Sequence, residues 1–436
     1  MSQQREHLSP VDAAWYRMDE RGEPADIGCV MVLDGPVNEL RLRRALADGL
    51  APYKRFHQRV VDSKRHVAPP RWEDEPSFSF DGHVAARTLD APTDDALQAL
   101  VTKLMNEPLD WARSPWSFTI VHGLERGRAA IFSRLHHCMG DGFALLDVLM
   151  ELAEPGEEPP TPPPPVPHRP GWLAEAGRLA HDAASVTAAA GHLLLAPFDS
   201  DTPLRGKRSG QRLLACSAPV PVERVKRIAR ACDGTVNDVL AAALAGALRR
   251  WFVEHGAKAE RIRAMVPVNL RPPNVPMDDV HGNWFGLVLL DVPTDLPQRE
   301  ARVAAIEREM NRIKGSKEAI VSLGVLAALG RSPAVVDHIV DELFARKASI
   351  VITNVAGPRK RLRLAGHAVR DMWFWSPPCG LGCGASILSY AGNVRVGIRA
   401  DSAIMPDPDA VARWFVEELE AVDRRVAGEA AAPAGP

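Results

Sequence analysis

The sequence predicts an α/β (α+β) protein built as two domains, and three observations carry that expectation. The chain has 436 residues, more than one compact core usually organises. Strand-like and helix-like segments mix in both halves, without a regular βαβ repeat or a glycine-rich nucleotide loop. Between the halves lies Pro155 to Pro170, where nine of sixteen positions are proline. Such a run forms neither a helix nor a sheet interior and reads as an extended connector. A ligand for an SH3-like partner is the other reading, and the linker is preferred because nothing else in the chain has a signalling character.

The elements follow in order. Ile27 to Leu33 is apolar and valine-rich, as a strand would be, and Glu39 to Leu50 has helical spacing. Phe118 to His122, a turn at Arg126-Gly127, and Ala129 to Leu135 read as a hairpin. Phe143 to Leu152 reads as a helix. Past the linker, the alanine-rich stretch Trp172 to Leu195 is helical by pattern and stops before Pro197. It reads as a helix packed on the protein; contact with lipid is the alternative, and its one arginine against Glu175 and Asp182 disfavours electrostatic attachment. Thr235 and Asp238 have capping-box spacing ahead of Leu240, Leu244, Leu248 and Trp251, which recur at helical intervals. Met265 to Leu270, Leu287 to Val292, Ser349 to Ile352 and Val394 to Ile398 are expected strands.

Composition excludes several classes. With 46% apolar and 25% charged residues the chain is an ordinary globular protein, and its net charge of −2 gives no global field for nucleic acid. No apolar run reaches the roughly 20 residues of a spanning helix. The start, Met1 to Pro10, lacks the apolar core of a signal peptide, so a reducing cytoplasm and free thiols are expected for the six cysteines. Cys379 and Cys383 form a C-x3-C pair in a Gly/Pro-rich loop. A metal there would need two further ligands of comparable spacing, so a tight loop with small thiols is preferred and no metal is expected.

Chemistry concentrates in Leu135-His136-His137-Cys138-Met139-Gly140-Asp141-Gly142. Two histidines follow a strand, and an acid flanked by glycines comes four residues after the second. Three readings stand on the residues alone. A metal site is disfavoured because adjacent strand-end side chains diverge and no third ligand is evident. Buried histidines without a catalytic role are the second reading. The third is a general base that takes a proton from an alcohol or amine attacking an activated acyl group.

His136-His137-Cys138-Met139-Gly140-Asp141-Gly142 matches the HHxxxDG motif, and the chain resembles the CoA-dependent acyltransferase superfamily. Further blocks resemble its bacterial wax ester synthase/diacylglycerol acyltransferase branch, in order from residue 8 to about 401. They are Leu8 to Ala13; Arg113-Ser114-Pro115-Trp116, which stands in shifted order for the branch's PLW block; Val236 to Leu240; and Val266 to Arg271. Gly282 to Gly286, Thr353 to Pro358 and Ser389 to Gly392 complete the series.

The resemblance implies two chloramphenicol-acetyltransferase-like domains, each a mixed sheet with helices, and an active-site tunnel between them. The expected division is 1–154 for the first domain, 155–205 for linker and connecting helix, and 206–436 for the second. It implies His137 as general base, His136 as support for the loop, and Asp141 as a structural acid paired with an arginine, for which Arg271 is chosen. Cys138 as a nucleophile is disfavoured, because that position varies in the family. Gly142, Asn283 and Asn354 are expected near substrate, the two asparagines as donors to an oxyanion or as turn formers. Asn237 and Asp238 are read as helix-capping residues.

The implied activity is transfer of a fatty acyl group from acyl-CoA, a substrate rather than a cofactor, to diacylglycerol or a long-chain alcohol. Another acceptor (a polyketide alcohol, an amine or an antibiotic) and a non-catalytic acyl-CoA or lipid binder are the competing readings. An insoluble acceptor implies peripheral contact with a membrane or lipid droplet from the cytoplasm. No nucleic-acid partner is expected.

Overall fold

A computed structural model describes residues 6–20, 24–62, 69–140, 142, 148–149, 152, 197–270, 283–329 and 346–431. The proline-rich connector, the stretch 172–195, most of 143–152, Asp141 and Arg271 lie outside the described residues.

Strands β1–β16 and helices α1–α8 are numbered along the chain. The first sheet runs β13 (Arg363–Leu364), β14 (His367–Trp375), β2 (Asp26–Leu33), β7 (Ala129–His136), β6 (Trp116–His122), β5 (Val84–Thr88). The second runs β11 (Phe285–Val292), β10 (Ile262–Asn269), β12 (Ile350–Ala356), β15 (Cys383–Tyr390), β16 (Asn393–Asp401), β8 (Arg212–Cys216), with β9 (Val220–Pro221) also on β16. A small sheet joins β1 (Glu6–His7), β4 (Arg71–Asp74) and β3 (Gln58–Val61). Both large sheets are mixed: β5–β6, β10–β12 and β12–β15 are parallel and the other pairs antiparallel.

Helices cover these sheets with the faces their spacing makes apolar. Buried residues of α1 (Pro10–Glu20) and α2 (Glu39–Leu50) join Ile27, Cys29 and Met31 of β2 in one core. α3 (Asp94–Asn106) places Leu97, Val101 and Met105 on the opposite face, against Val30, Val32 and Phe132. On the second sheet, α4 (Val222–Ala231), α5 (Val236–Glu254) and α8 (Pro408–Ala431) form one layer. Leu240, Leu244, Leu248 and Trp251 of α5 are all buried, each worth roughly 1.5–3 kcal/mol of apolar transfer. α6 (Arg299–Gly315) adds Val303 and Ile306 to that layer. α7 (Glu318–Leu329) approaches β11 so closely that a Cβ on Gly286 would stand 1.7 Å from the Ala319 carbonyl oxygen. Only glycine fits there.

The sheets do not divide where the sequence does. β14 comes from the C-terminal part, yet pairs antiparallel with β2 and extends the first sheet. The chain then passes into β15 of the second sheet, and a buried hydroxyl chain marks the crossing: Ser376 Oγ lies 3.0 Å from Thr353 Oγ1 and 2.8 Å from Ser386 Oγ. The boundary expected between residues 154 and 206 therefore separates two stretches of chain but not two sheets. A domain-swapped strand of this kind leaves no local mark, because pairing partners hundreds of residues apart do not alter each other's pattern.

A buried ion-pair cluster joins the two sheets. Asp26 on β2 is completely buried; Arg134 of β7 binds one carboxylate oxygen and Arg399 of β16, in the other sheet, binds the second at 2.8 Å. Arg399 also donates to the carbonyls of Asp26 at 2.6 Å and Pro24 at 3.0 Å. Burial would push the Asp26 carboxyl up, but the two guanidinium groups outweigh it and hold the group well below the usual carboxylate range. Its stabilising effect is present above the ordinary carboxyl range and is lost as acid protonates the folded state. Arg399→Met leaves the carboxylate with one cation, so unfolding free energy should fall by roughly 3–5 kcal/mol, read as a lower urea midpoint at unchanged slope. A loss below about 1 kcal/mol would show that the sheets are held together by other contacts.

Candidate active site

The histidine pair sits at the end of β7, held from both sides. The His136 amide donates to Pro115 O at 3.0 Å, and the His137 amide donates across to Ala25 O at 2.8 Å. His137–Met139 then forms one 3-10 turn. The two rings therefore occupy different environments although they are neighbours.

His136 is completely buried, edge-on to Trp111 with ring centroids 4.7 Å apart. Its Nδ1 accepts the Cys138 amide at 3.1 Å, which puts the ring proton on Nε2, 3.8 Å from Asp19 Oδ1. Burial drives its pKa down to about 3, so the ring is neutral and a weak base. It closes the loop and does not exchange protons at neutral pH. Cys138 is likewise buried, and desolvation pushes its thiol well above the ordinary range. A thiol that stays protonated is a poor nucleophile.

His137 is 8% exposed, and its ring lies flat against Trp15, centroids 4.1 Å apart and planes inclined by 16°. Phe285 flanks both rings, 5.7 Å from His137 and 6.0 Å from Trp15. Trp15 belongs to α1, and so do Asp12 and Asp19. Spacings of three and four residues put all three on one helix face, and each addresses the histidine pair. Trp15 stacks on His137, Asp19 faces His136, and Asp12 reaches His137 through Asn283.

That last connection is a buried relay. Asn283 Nδ2 donates to Asp12 Oδ1 and to the His137 carbonyl, both at 2.7 Å, and the Asn283 amide donates to the same carboxylate oxygen at 3.1 Å. Both carboxamide protons are thus committed, which overturns the expectation that Asn283 gives a hydrogen bond to an oxyanion. Its role is to fix the His137 backbone. Asn354 is also elsewhere than expected. It alternates with Thr353 and Val355 along β12, so it faces the α5 side, where its Nδ2 donates to Asn237 Oδ1 at 2.9 Å. Asn237 opens α5, and Thr235 with Asp238 forms the reciprocal cap: the Thr235 amide donates to Asp238 Oδ2 at 2.7 Å and the Asp238 amide to Thr235 Oγ1 at 3.3 Å. Gly142 faces β14, where an added Cβ would meet the Phe374 ring at 3.4 Å.

The Arg113–Trp116 block turns out to be a buttress. Glu75 accepts the Ser114 amide at 2.7 Å and pairs with His83 Nε2 at 3.0 Å, while the His83 ring stacks on Trp116 at 4.3 Å. The Ser389–Gly392 block ends in a two-residue hairpin turn, with Ala391 and Gly392 at φ of 46° and 83°. Among the described residues, no group of three or more His, Cys, Asp or Glu side chains is arranged to hold a metal.

Beside the site lies a cleft of about 530 Å³ between the two parts of the chain. Trp15, Met18, Pro24 and Ala25 form one wall; residues 206–210, Arg212, the turn 377–381 and the end of β16 form the other. The indole of Trp15 therefore has His137 stacked on it and also borders the cleft. A nearly enclosed imidazole at such a boundary is suited to proton transfer in a site poor in water. Trp15 and Asp19 were not among the expected residues. Their signal was the 12–15–19 spacing, readable only once the histidines are known to lie beneath that helix.

Comparison with known proteins adds to this geometry. The family model for the wax ester synthase/diacylglycerol acyltransferase catalytic domain matches residues 8–240, and that for the corresponding C-terminal domain matches residues 281–423. A probable diacylglycerol O-acyltransferase of Mycobacterium tuberculosis is 28% identical over 456 aligned positions, covering 96% of each chain. The wax ester synthase/diacylglycerol acyltransferase of Marinobacter aquaeolei VT8 superposes with a TM-score of 0.70 at 19% identity, over 97% of this chain and 100% of that one. A starter condensation domain of rhizomide synthetase, in complex with C8-CoA and Leu-SNAC, gives 0.61 at 15% identity, over 97% and 94%. At these identities the solved structures speak for the fold, two mixed sheets with helices.

Asp12 generates a test of the relay. Burial raises its carboxyl to about 6, against hydrogen bonds from Asn283 and Ser9 that lower it. The folded state binds this proton more tightly than the unfolded chain does, so the contribution is full below about pH 4 and is lost as pH rises through about 6. The stability of the wild type minus that of Asp12→Asn, from urea unfolding at successive pH values, should decline across that window and then level. A flat difference would mean that Asp12 is not desolvated in solution.

Proposed function

Because the chain belongs to the wax ester synthase/diacylglycerol acyltransferase family, we propose that it transfers a fatty acyl group from acyl-CoA to diacylglycerol or a long-chain alcohol, with His137 as general base. The observation that carries the reading is the His137 ring, fixed by the Asn283 tie to its backbone and by stacking on Trp15, the residue that lines the cleft between the two parts of the chain.

The chemistry is a single acyl transfer. The acceptor hydroxyl gives its proton to the imidazole as its oxygen attacks the thioester carbonyl. The C–S bond then breaks, and the departing CoA sulfur takes that proton back. One C–O bond replaces one C–S bond, and no covalent acyl-enzyme is needed. Both substrates must therefore be present together, and the neutral, buried His136 and the protonated Cys138 take no part in proton or acyl transfer.

The acceptor's insolubility places the protein at the surface of a membrane or lipid droplet, in contact with the cytoplasm. Among the described residues no helix is long and apolar enough to cross a membrane, so attachment through surface contacts fits this reading. A fraction of the protein should pellet with liposomes at both low and high salt, and its complete absence from the pellet at both would remove the surface assignment.

The direct test incubates the purified protein with palmitoyl-CoA and either diacylglycerol or hexadecanol, following ester and free CoA. His137→Ala should lose at least about a hundredfold in kcat while its circular dichroism is unchanged. Full activity in that variant would refute His137 as the base. Ester from neither acceptor, with CoA still released to an amine or another alcohol, would move the acceptor outside lipids. Thioester binding without CoA release would make the protein a binder.

A further inference from the structure

We propose that the exposed face shared by α2 and the β13–β14 hairpin docks on an anionic lipid surface, with Arg41, Arg359, Arg361 and Arg363 meeting its phosphates and Leu40 entering its apolar boundary. The inference rests on the water-insoluble acceptor of the reading above, and it names the face and the lipid chemistry that the reading leaves open.

Charge is the first argument. The whole chain is balanced, with 53 Lys and Arg against 55 Asp and Glu, but residues 357–370 carry five cations and no acid. The acids near this face are already committed. Asp34 pairs with Arg370 at 3.5 Å, Asp48 with Arg44 at 3.7 Å, and Glu39 with Arg43 at 2.8 Å and His122 at 3.2 Å. Among the described residues, Arg41, Arg359, Arg361 and Arg363 have no acidic partner, and all four are exposed. Two of these cations converge. Arg363 Nη2 donates to the Gly366 carbonyl at 2.6 Å, and the Arg41 guanidinium lies against the same glycine, 3.3 Å from where a Cβ would stand. Like charges gathered at one turn without a carboxylate between them favour an anion from outside.

Construction is the second. Leu362 and Leu364 point into the core, so Arg361 and Arg363 alternate with them to the outside. The Leu362 amide donates to the Tyr390 hydroxyl at 2.9 Å, that hydroxyl donates to the Val369 carbonyl at 2.7 Å, and the Val369 amide donates to Leu362 O at 2.8 Å. The cations therefore project from a fixed platform. On α2 the outward stripe is Leu40, Arg41, Arg44 and Asp48, opposite buried Leu42, Leu46 and Leu50. Leu40 is 80% exposed, more than any other large apolar side chain among the described residues. Guarding the edge of the first sheet accounts for a charge on β13, but not for the arginine from α2 or the bare leucine beside it. Cations around an exposed apolar side chain suit a membrane boundary, where each basic residue adds about fivefold in affinity for an anionic surface. A nucleic-acid backbone offers phosphates but nothing for the leucine.

Position is the third. β2 connects the two regions: its first residue, Asp26, pairs with His136, and its last, Leu33, pairs with Val369 of the hairpin strand. The face thus lies a full strand away from the histidine turn, about 23 Å. Attachment and proton transfer can therefore be separated by substitution.

The test uses the full-length protein, the double variant Arg359→Gln, Arg361→Gln, and Leu40→Ser. Each is sedimented with phosphatidylcholine vesicles, neutral or containing about a third phosphatidylglycerol. At low salt the wild type should bind the anionic vesicles at least tenfold more tightly than the neutral ones. The arginine variant should lose at least tenfold on the anionic vesicles and less than twofold on the neutral ones. At 1 M salt, where the Debye length is about 3 Å, wild type and arginine variant should bind alike, through the apolar contacts that remain. Leu40→Ser should lose at least twofold on both vesicles, and unchanged binding would overturn the apolar contact. The arginine variant should make at least fivefold less ester from diacylglycerol carried in anionic vesicles, and change less than twofold with soluble 1-hexanol. Equal binding of wild type and arginine variant to anionic vesicles, or an equal loss of activity on 1-hexanol, would overturn the assignment. So would arginine-dependent binding to duplex DNA that exceeds binding to anionic vesicles at the same salt. A wild type that binds anionic vesicles through these arginines, yet makes no ester from either alcohol, would uphold the docking face and refute the transferase reading. Ester from 1-hexanol without binding to anionic vesicles would do the reverse.

Discussion

A single buried carboxylate, Asp26, organises the molecule. It opens β2, is gripped by an arginine from its own sheet and another from the opposite sheet, and is register partner to His136. Burying a charge is expensive unless its partners are well placed, and here the partners can only be well placed when the two sheets dock. α1 and the histidine turn pack in the core on the same side of the first sheet, next to this cluster.

The histidine pair illustrates how environment divides labour between identical side chains. His136 faces inward, gives its Nδ1 lone pair to a backbone amide and is driven toward permanent neutrality by desolvation. His137, one residue on, meets the face of an indole that itself lines the cleft. Stacking fixes the plane of the ring, while the Asn283 tie fixes its backbone; together they leave little torsional freedom to be lost when substrates arrive. Asp12 stands behind the tie, a desolvated acid that helps hold the loop at a cost to its own ionisation.

Much of the fold could be read in the sequence where the signal is local. The α2 span, the β6–β7 hairpin and the capping box of α5 follow from periodicity and short-range hydrogen-bond chemistry, and the structure has them within a residue or two. β14 and β15 escaped because their neighbours are distant and because the loop between them is rich in Pro, Gly and Cys, which hides strand ends. At the site, the HHxxxDG motif carried its own signal. The 12–15–19 face of α1 did not, since its spacing is ordinary until the histidines are seen beneath it. Asn283 was misjudged for a related reason: type and motif can suggest a donor, but only coordinates reveal that both its protons are already taken.

The crossing of β14 also bears on how the chain is made. During synthesis β2 has β7 on one side, but its other edge stays open until residue 375 has emerged. At ribosomal speeds of about 5–20 residues per second, the interval from residue 154 is roughly 10–45 s. Throughout that time a valine-rich edge is available to any other nascent strand, a hazard for aggregation. The N-terminal half is thus a client awaiting its own C-terminal half, and a gene cut at the proline-rich connector would yield a fragment with an unsealed sheet.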